Sequence, residues 1–261
     1  MAEKSWKKIF SDHGILRHDF EESPFELTAE QIKSSCQDFK KTGEKEVRVL
    51  CKQDTRESVP QIMSDNGLFL LPVRNGKYVL VKGEGYFDIP DIKTRVEVHR
   101  SKLNFELKTS KVGNSEMQHL DYAYATSIIR TFFDDDGLIL TIRGRKYTPK
   151  FSFSVGRHEI TVKSVQTEVD AGYESADKVV LVEAKNSKST NSIIRQLFYP
   201  FRSWSESLRH SKKVFPVFFE RRGSEYLIWQ YDFSDKNQYN SIKLVKSRRF
   251  RIIDKPEKQT P

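Results

Sequence analysis

The chain has 261 residues, 37% of them hydrophobic and 12% aromatic, enough for one or two domains with a sizeable core. It has no run of eighteen apolar residues, and its start, MAEKSWKKIF, lacks the apolar stretch of a secretory signal, so neither a membrane span nor export is expected. Forty-five Lys and Arg against thirty-six Asp and Glu give a net charge of +9, and two cysteines, Cys36 and Cys51, without paired Cys/His spacing, argue against structural zinc and fit a reducing cytoplasm.

Two N-terminal helices are expected, SWKKIFSDHGIL and TAEQIKSSCQDF, the second opened by a capping box in which Thr28 caps and Gln31 reciprocates. They read first as an ordinary helical cap on a domain, and second as a small DNA-binding helical unit. In residues 67–83 two apolar runs meet at Asn75-Gly76, which predicts a hairpin. RVEVHRSKLNFEL predicts further strand over 95–107. Residues 1–110 thus read as a helical and β-rich region, suited to target recognition or simply extending the main sheet.

Over 115–133 the spacing of Met117, Leu120, Ala123 or Tyr124, Ile128 and Phe132 predicts one amphipathic helix, with Glu116 in its first turn complementing the helix dipole. LILTIRGRKY, KFSFSV and HEITVKSVQTEVD follow as strands, the last two joined by a turn at Gly156-Arg157. The apolar phase shifts between Ile160/Val162 and Val165/Val169, which a β-bulge near Lys163-Ser164 would explain. Arg143, Arg145 and Lys146 form a basic group that keeps an exposed strand soluble or touches DNA.

Side chains two apart on a strand share a face, so Gln166, Glu168 and Asp170 point one way. In KVVLVEAK, Val179, Leu181, Glu183 and Lys185 share a face opposite Val180, Val182 and Ala184. If these strands are antiparallel neighbours joined through Ala171-Gly172 and a short loop, Asp170 meets Glu183 at one end of the sheet, with Lys185 beside them. Glu168 shares Asp170's face, and Asp170 ranks first because it sits at the strand end. Two carboxylates suit a hard cation such as Mg²⁺, and a lysine there orients or deprotonates water and offsets phosphate charge.

After a polar loop carrying Lys188, a helix is expected from Ser189 or Thr190, with Ile194, Leu197, Phe201, Trp204 and Leu208 as its apolar stripe and Pro200 kinking or restarting it. Arg195, Arg202 and Arg209 recur every seven residues, about 10 Å apart on one face of a continuous helix, and would track a phosphate backbone; Arg195 precedes the expected break. Gln196 and Tyr199 lie off the stripe, where the amide would orient water or phosphate and the phenol donate to one; a surface Gln and a packed Tyr are the plain alternative, ranked below the role for Gln196 and level with it for Tyr199. Residues 185–222 hold nine basic and two acidic side chains, net +7, which suits a phosphodiester substrate and, without a nuclease signature, is a solvated surface. KVFPVFFE and EYLIWQYDF form two more strands around Gly223-Ser224, followed by SIKLVKSRRFRII and the frayed tail KPEKQTP.

Asp170, twelve intervening residues and then Glu183-Ala184-Lys185 resemble the D…(D/E)-x-K signature of the PD-(D/E)XK nuclease superfamily, which includes most type II restriction endonucleases; Val169 stands in place of the proline. Gln196-x-x-Tyr199 is similar to the Gln-x-x-Tyr motif of the helicase-linked recombination nucleases in that superfamily. The resemblance is local, covering roughly a third of the chain.

The resemblance implies an α/β fold, a restriction-endonuclease-like mixed sheet flanked by helices, with residues 111–261 as catalytic domain. It implies Mg²⁺ on Asp170 and Glu183, with Glu116 as a further metal-facing acid, and catalysis by Asp170, Glu183, Lys185 and Gln196. Arg195, Lys188 and Arg202 are expected on the phosphates of double-stranded DNA, and cleavage would leave a 5′ phosphate. Cutting both strands needs two sites, hence a homodimer. No G-x-x-x-x-G-K-[ST] loop is present, so no attached motor is expected, and a stand-alone restriction enzyme ranks above a recombination nuclease. The alternatives are a repair or junction-resolving nuclease and a non-catalytic DNA-binding protein.

Overall fold

The densest apolar runs, at 179–182, 214–219 and 226–229, become neighbouring strands of one sheet covered on both faces, which is why they do not alternate with polar residues. The computed structural model describes residues 2–209 and 211–253; the expected KPEKQTP tail lies outside the described residues.

The N-terminal part comprises helix α1 (Glu3–Asp12), strand β1 (Phe25–Thr28), helix α2 (Ala29–Ser35) and the short helices α3 (Thr42–Lys45), α4 (Val47–Leu50) and α5 (Gln61–Ser64). The α2 capping box forms as predicted: Gln31 N–H donates to Thr28 Oγ1 at 3.2 Å, and Thr28 N–H donates to the Gln31 side chain at 2.8 Å. The predicted hairpin is β2 (Leu68–Arg74) and β3 (Lys77–Lys82), turning at Asn75-Gly76 with Gly76 at φ 70°. With β1 paired to β3, this small sheet closes over Trp6, Ile9, Phe10 and Ile32.

The chain continues through β4 (Tyr86–Asp88), β5 (Glu97–Arg100), α6 (Glu116–Ala125), α7 (Ile128–Phe133), β6 (Ile139–Tyr147), β7 (Phe151–Val155) and β8 (His158–Val162). Then follow β9 (Gln166–Glu174), β10 (Lys178–Lys185), β11 (Asn191–Ile193), α8 (Arg195–Ser207), β12 (Lys213–Arg222), β13 (Glu225–Phe233) and β14 (Ile242–Ile253). The described residues form a seven-stranded sheet in the order β5-β14-β13-β12-β10-β9-β6, with β10–β12 and β14–β5 parallel and the other pairs antiparallel. Parallel β10 and β12 need a crossover, and residues 186–212, including α8, supply it.

One face of this sheet packs on α6 and α7 through Leu120, Ala123, Ile129 and Phe132; the other packs on α8 through Leu197, Phe198 and Phe201. Each fully buried Leu, Ile or Phe among these contributes about 1.5–3 kcal/mol relative to exposure. The fold is therefore mixed α/β, a large mixed sheet flanked by helices with a β-rich N-terminal part. No helix among the described residues is long and apolar enough to cross a membrane.

Three expected elements differ. The strand over 95–107 shortens to β5, because only Phe250–Ile253 of β14 face it and Ser101 N–H closes the pairing on the Ile253 carbonyl. The helix over 115–133 breaks in two: Thr126 Oγ1 donates back to the Tyr122 carbonyl at 2.8 Å, and Ser127 takes a left-handed φ of 73°. Strand HEITVKSVQTEVD also breaks, at Ser164 with φ 56°, as the chain leaves the separate β7–β8 pair for the main sheet.

A bulge does exist, but within β9. Gly144 and Ile142 of β6 face Val169 and Gly172, so a step of two residues on β6 spans three on β9. Val169 consequently packs on the α8 side of the sheet, whereas Ala171 and Tyr173 pack on the α6–α7 side. The strands close tightly there: a Cβ on Gly172 would lie 2.6 Å from Ile142 Cβ. Gly172→Ala is expected to destabilise the protein by about 1–3 kcal/mol, read as a lower urea midpoint with unchanged slope; an unchanged midpoint would show that β6 yields freely.

Candidate active site

The antiparallel pairing of β9 and β10 runs from Glu174↔Val179 to Ala171↔Val182 and then stops, while β10 continues to Lys185 against β12 alone. The bulge in β9 sits at this fork. It turns Asp170 into the gap, where Asp170 Oδ2 accepts the Ala184 N–H at 2.7 Å. Asp170 is therefore not at a strand end, as the sequence suggested; β9 runs on to Glu174, and what ends beside Asp170 is its pairing to β10.

Glu183 and Lys185 follow on the freed stretch of β10. Lys185 Nζ donates to Glu183 Oε1 at 2.5 Å, with the two side chains 28% and 12% exposed respectively. Burial raises the Glu183 carboxyl to about 7; Lys185 opposes the shift and Asp170 adds to it. Asp170 is raised too, by burial first, against the Ala184 N–H and Lys185, with Glu116 and Glu168 adding to the rise. For Lys185, burial pulls downward, but Glu183, with help from Glu116 and Asp170, outweighs it and holds the ammonium protonated.

A cleft of about 640 Å³ opens over these groups, with Glu116, Glu168, Asp170, Glu183 and Lys185 in its lining. Glu116 comes from the first turn of α6 and Glu168 from β9, where it pairs with Arg145 at 3.3 Å. Gln196 also faces the cleft; its amide oxygen accepts from Ser192 Oγ at 2.6 Å, which leaves its NH₂ group to donate. Arg195 completes the C-terminal contribution.

The helix bearing these two residues starts later than Ser189 or Thr190. Residues 191–193 first pair with β4, and buried Asn191 locks them by accepting Arg56 N–H at 2.8 Å and donating to Glu57 at 2.9 Å. α8 then runs through Pro200 without restarting. Tyr199 is fully buried and donates to the Pro72 carbonyl at 3.0 Å, so it belongs to the core and not to the cleft.

Two expected phosphate contacts are placed elsewhere. Arg202 is buried, donates to the Ser152 and Lys236 carbonyls at 3.0 and 2.5 Å, and pairs with Glu206 at 3.2 Å. It cannot also reach a phosphate, and Arg209 lies beyond the end of α8 at φ 48°, so the seven-residue arginine row does not form. Lys188 pairs with Asp91 at 3.2 Å and is absent from the cleft lining. Arg202→Ala is expected to cost about 1–3 kcal/mol through unpaired carbonyls, read as a lower urea midpoint; an unchanged midpoint would reverse that assignment.

Sequence reasoning missed the cleft's N-terminal wall, Arg48, Lys52 and Asp54, which close over it from α4 and the loop that follows. The only local signal was the four-residue spacing of Arg48 and Lys52.

The donor set fits a hard divalent cation. Its donors are carboxylate oxygens, and Asp170 and Glu183, both raised by burial first, are the two acids whose charged form a bound cation would stabilise. Among the described residues no three His, Cys, Asp or Glu side chains close into a metal-holding group, so Glu116 lines the cleft without joining Asp170 and Glu183 in a ready-made cage. Mg²⁺ tolerates that, since it usually keeps several waters and one or two carboxylates.

Residues 81–251 match the family model described as Domain of unknown function (DUF6997), and the chain belongs to that family. Residues 3–80 match a second model, Domain of unknown function (DUF6996). Searches of curated proteins and of solved structures gave no match.

Proposed function

We propose that this chain is a Mg²⁺-dependent endonuclease that hydrolyses phosphodiester bonds of double-stranded DNA, with a catalytic sheet of the restriction-endonuclease type, and that it acts as a sequence-specific type II enzyme in a homodimer. The observation that carries the reading is the fork between β9 and β10, which brings Asp170, Glu183 and Lys185 together at the floor of a cleft whose walls carry Arg48, Lys52, Arg145 and Arg195 beside Asp54, Glu116 and Glu168.

Asp170 and Glu183 would hold Mg²⁺, with Glu116 at the rim. When bound, the metal supplies positive charge to the scissile phosphate. Lys185, held as an ammonium, donates a hydrogen bond and offsets charge on the phosphate as it is attacked; in that state it is not a base. Gln196 presents its free NH₂ to orient water or a phosphate oxygen. Asp170's bond to Ala184 N–H fixes its own carboxylate in the fork.

The test is incubation of purified protein with plasmid and Mg²⁺ beside Asp170→Ala. Discrete fragments from the parent alone support restriction, and cutting confined to branched DNA favours a junction-resolving enzyme. Equal cutting by both proteins sinks the site. Duplex binding without any cutting favours a non-catalytic DNA-binding protein.

A further inference from the structure

Beside the carboxylate cleft lies a second cavity of about 330 Å³ between α4, the β2–β3 turn and the start of α8. The two share Arg48, Lys52, Asp54, Gln166 and Arg195 in their linings, so they form one continuous groove. Their charges differ. The cleft sets five acids against five cations, whereas the second cavity sets Arg48, Lys52, Arg74 and Arg195 against Asp54 alone.

These cations are also poorly neutralised. The side chains of Arg48 and Arg74 are exposed and have no hydrogen bond or ion pair among the described residues. Arg195 reaches Asp54 only at 3.4 Å, and its buried Nε has no partner. By contrast, Arg56 and Arg222 each hold a close carboxylate, Asp88 at 2.6 Å and Asp91 at 2.8 Å, although Arg222 Nη2 is likewise buried without a partner. Asp54 is shared between Lys52 at 3.9 Å and Arg195 at 3.4 Å; like charges gathered around a single acid repel one another, and a buried guanidinium N–H without a partner costs desolvation energy that an anion's oxygen would recover.

We propose that this cavity is a phosphate subsite, in which Arg48, Arg74 and Arg195, assisted by Lys52, bind the backbone of the same polynucleotide strand whose scissile phosphate lies over Asp170 and Glu183. The identity of the strand rests on the nuclease reading. The groove's continuity favours a polymer with successive phosphates over a mononucleotide, which would occupy one cavity and leave the other charge set unmatched. The subsite is composite: Arg48, Lys52 and Arg74 come from residues 3–80 and Arg195 from residues 81–251, so substrate would be gripped between the two family-matched parts of the chain.

The experiment measures fluorescence anisotropy of labelled duplex and single-stranded DNA over a series of NaCl concentrations. It uses the full chain carrying Asp170→Ala, with and without Arg48→Ala plus Arg74→Ala, alongside plasmid cleavage by the otherwise native chain. Every phosphate that goes un-neutralised takes about 0.9 from the slope of log affinity against log salt on duplex DNA, so the double variant should be shallower by about 2 and weaker at least tenfold at moderate salt. Arg48→Lys plus Arg74→Lys should retain most of the slope, which a failure to fold would not. An unchanged slope with an active parent overturns the subsite and leaves the nuclease reading intact. A flattened slope with a parent that never cuts supports the subsite and overturns the nuclease reading. A parent that binds neither DNA overturns both.

Discussion

Lys185→Ala should lower the rate of Mg²⁺-dependent plasmid cleavage about 10²–10³-fold, the range typical of removing one donor that stabilises charge in the transition state. Lys185 is on the freed end of β10, two residues from Glu183, and its Nζ lies 2.5 Å from Glu183 Oε1. In the proposed reaction its ammonium would place a positive charge where phosphate charge develops, and in the structure it opposes the rise of the Glu183 carboxyl. Without it, Glu183 loses the main group opposing its burial and rises further, so the variant should also need more Mg²⁺ at neutral pH. Lys185→Arg keeps charge but replaces a compact ammonium by a planar fork, and should recover only part of the rate. The measurement is single-turnover cleavage against Mg²⁺ concentration; a Lys185→Ala rate equal to that of the parent removes lysine from the mechanism.

The sequence made the local chemistry readable wherever it depended on strand alternation or a short-range bond. Thr28 and Gln31 close their capping box, Asn75-Gly76 turns its hairpin, and Glu183 and Lys185 share the face that alternation assigns them. What alternation cannot register is a bulge. Asp170 was expected beside Glu183 at a strand end, and it reaches the site through an extra residue in the middle of β9, whose signature in sequence is only Gly172 packed against Ile142. The arginine row on α8 failed for a related reason. Periodicity places Arg195 and Arg202 on one helix face, but burial is decided by what packs on that face, and the Ser152 and Lys236 carbonyls claim Arg202. Arg48, Lys52 and Asp54 were illegible because their relation to the site is set by how residues 3–80 fold against the main sheet, a contact across more than a hundred residues of chain that no local pattern encodes.

Mg²⁺ should bind this protein about tenfold more tightly for each pH unit between roughly pH 5.5 and the Glu183 value of about 7, and become nearly pH-independent above it. The sign follows from the direction of the shift. Glu183 starts from 4.5 and is raised, so between 4.5 and about 7 the folded, metal-free protein holds a proton that the unfolded chain has released. Its contribution to stability is thus full at low pH and is lost as pH rises through that window; raised Asp170 acts in the same direction. A cation on the carboxylates must displace the proton, which makes acid its competitor. Thermal melts in EDTA should accordingly show stability declining across the window, and added Mg²⁺ should stabilise more at pH 8 than at pH 6. Glu183→Gln should flatten the EDTA profile and abolish most of the Mg²⁺ response, whereas Glu168→Gln should leave both slopes in place. Mg²⁺ titrations whose midpoint stays constant from pH 5.5 to 7 would separate Glu183 from metal binding, even if cleavage itself survives.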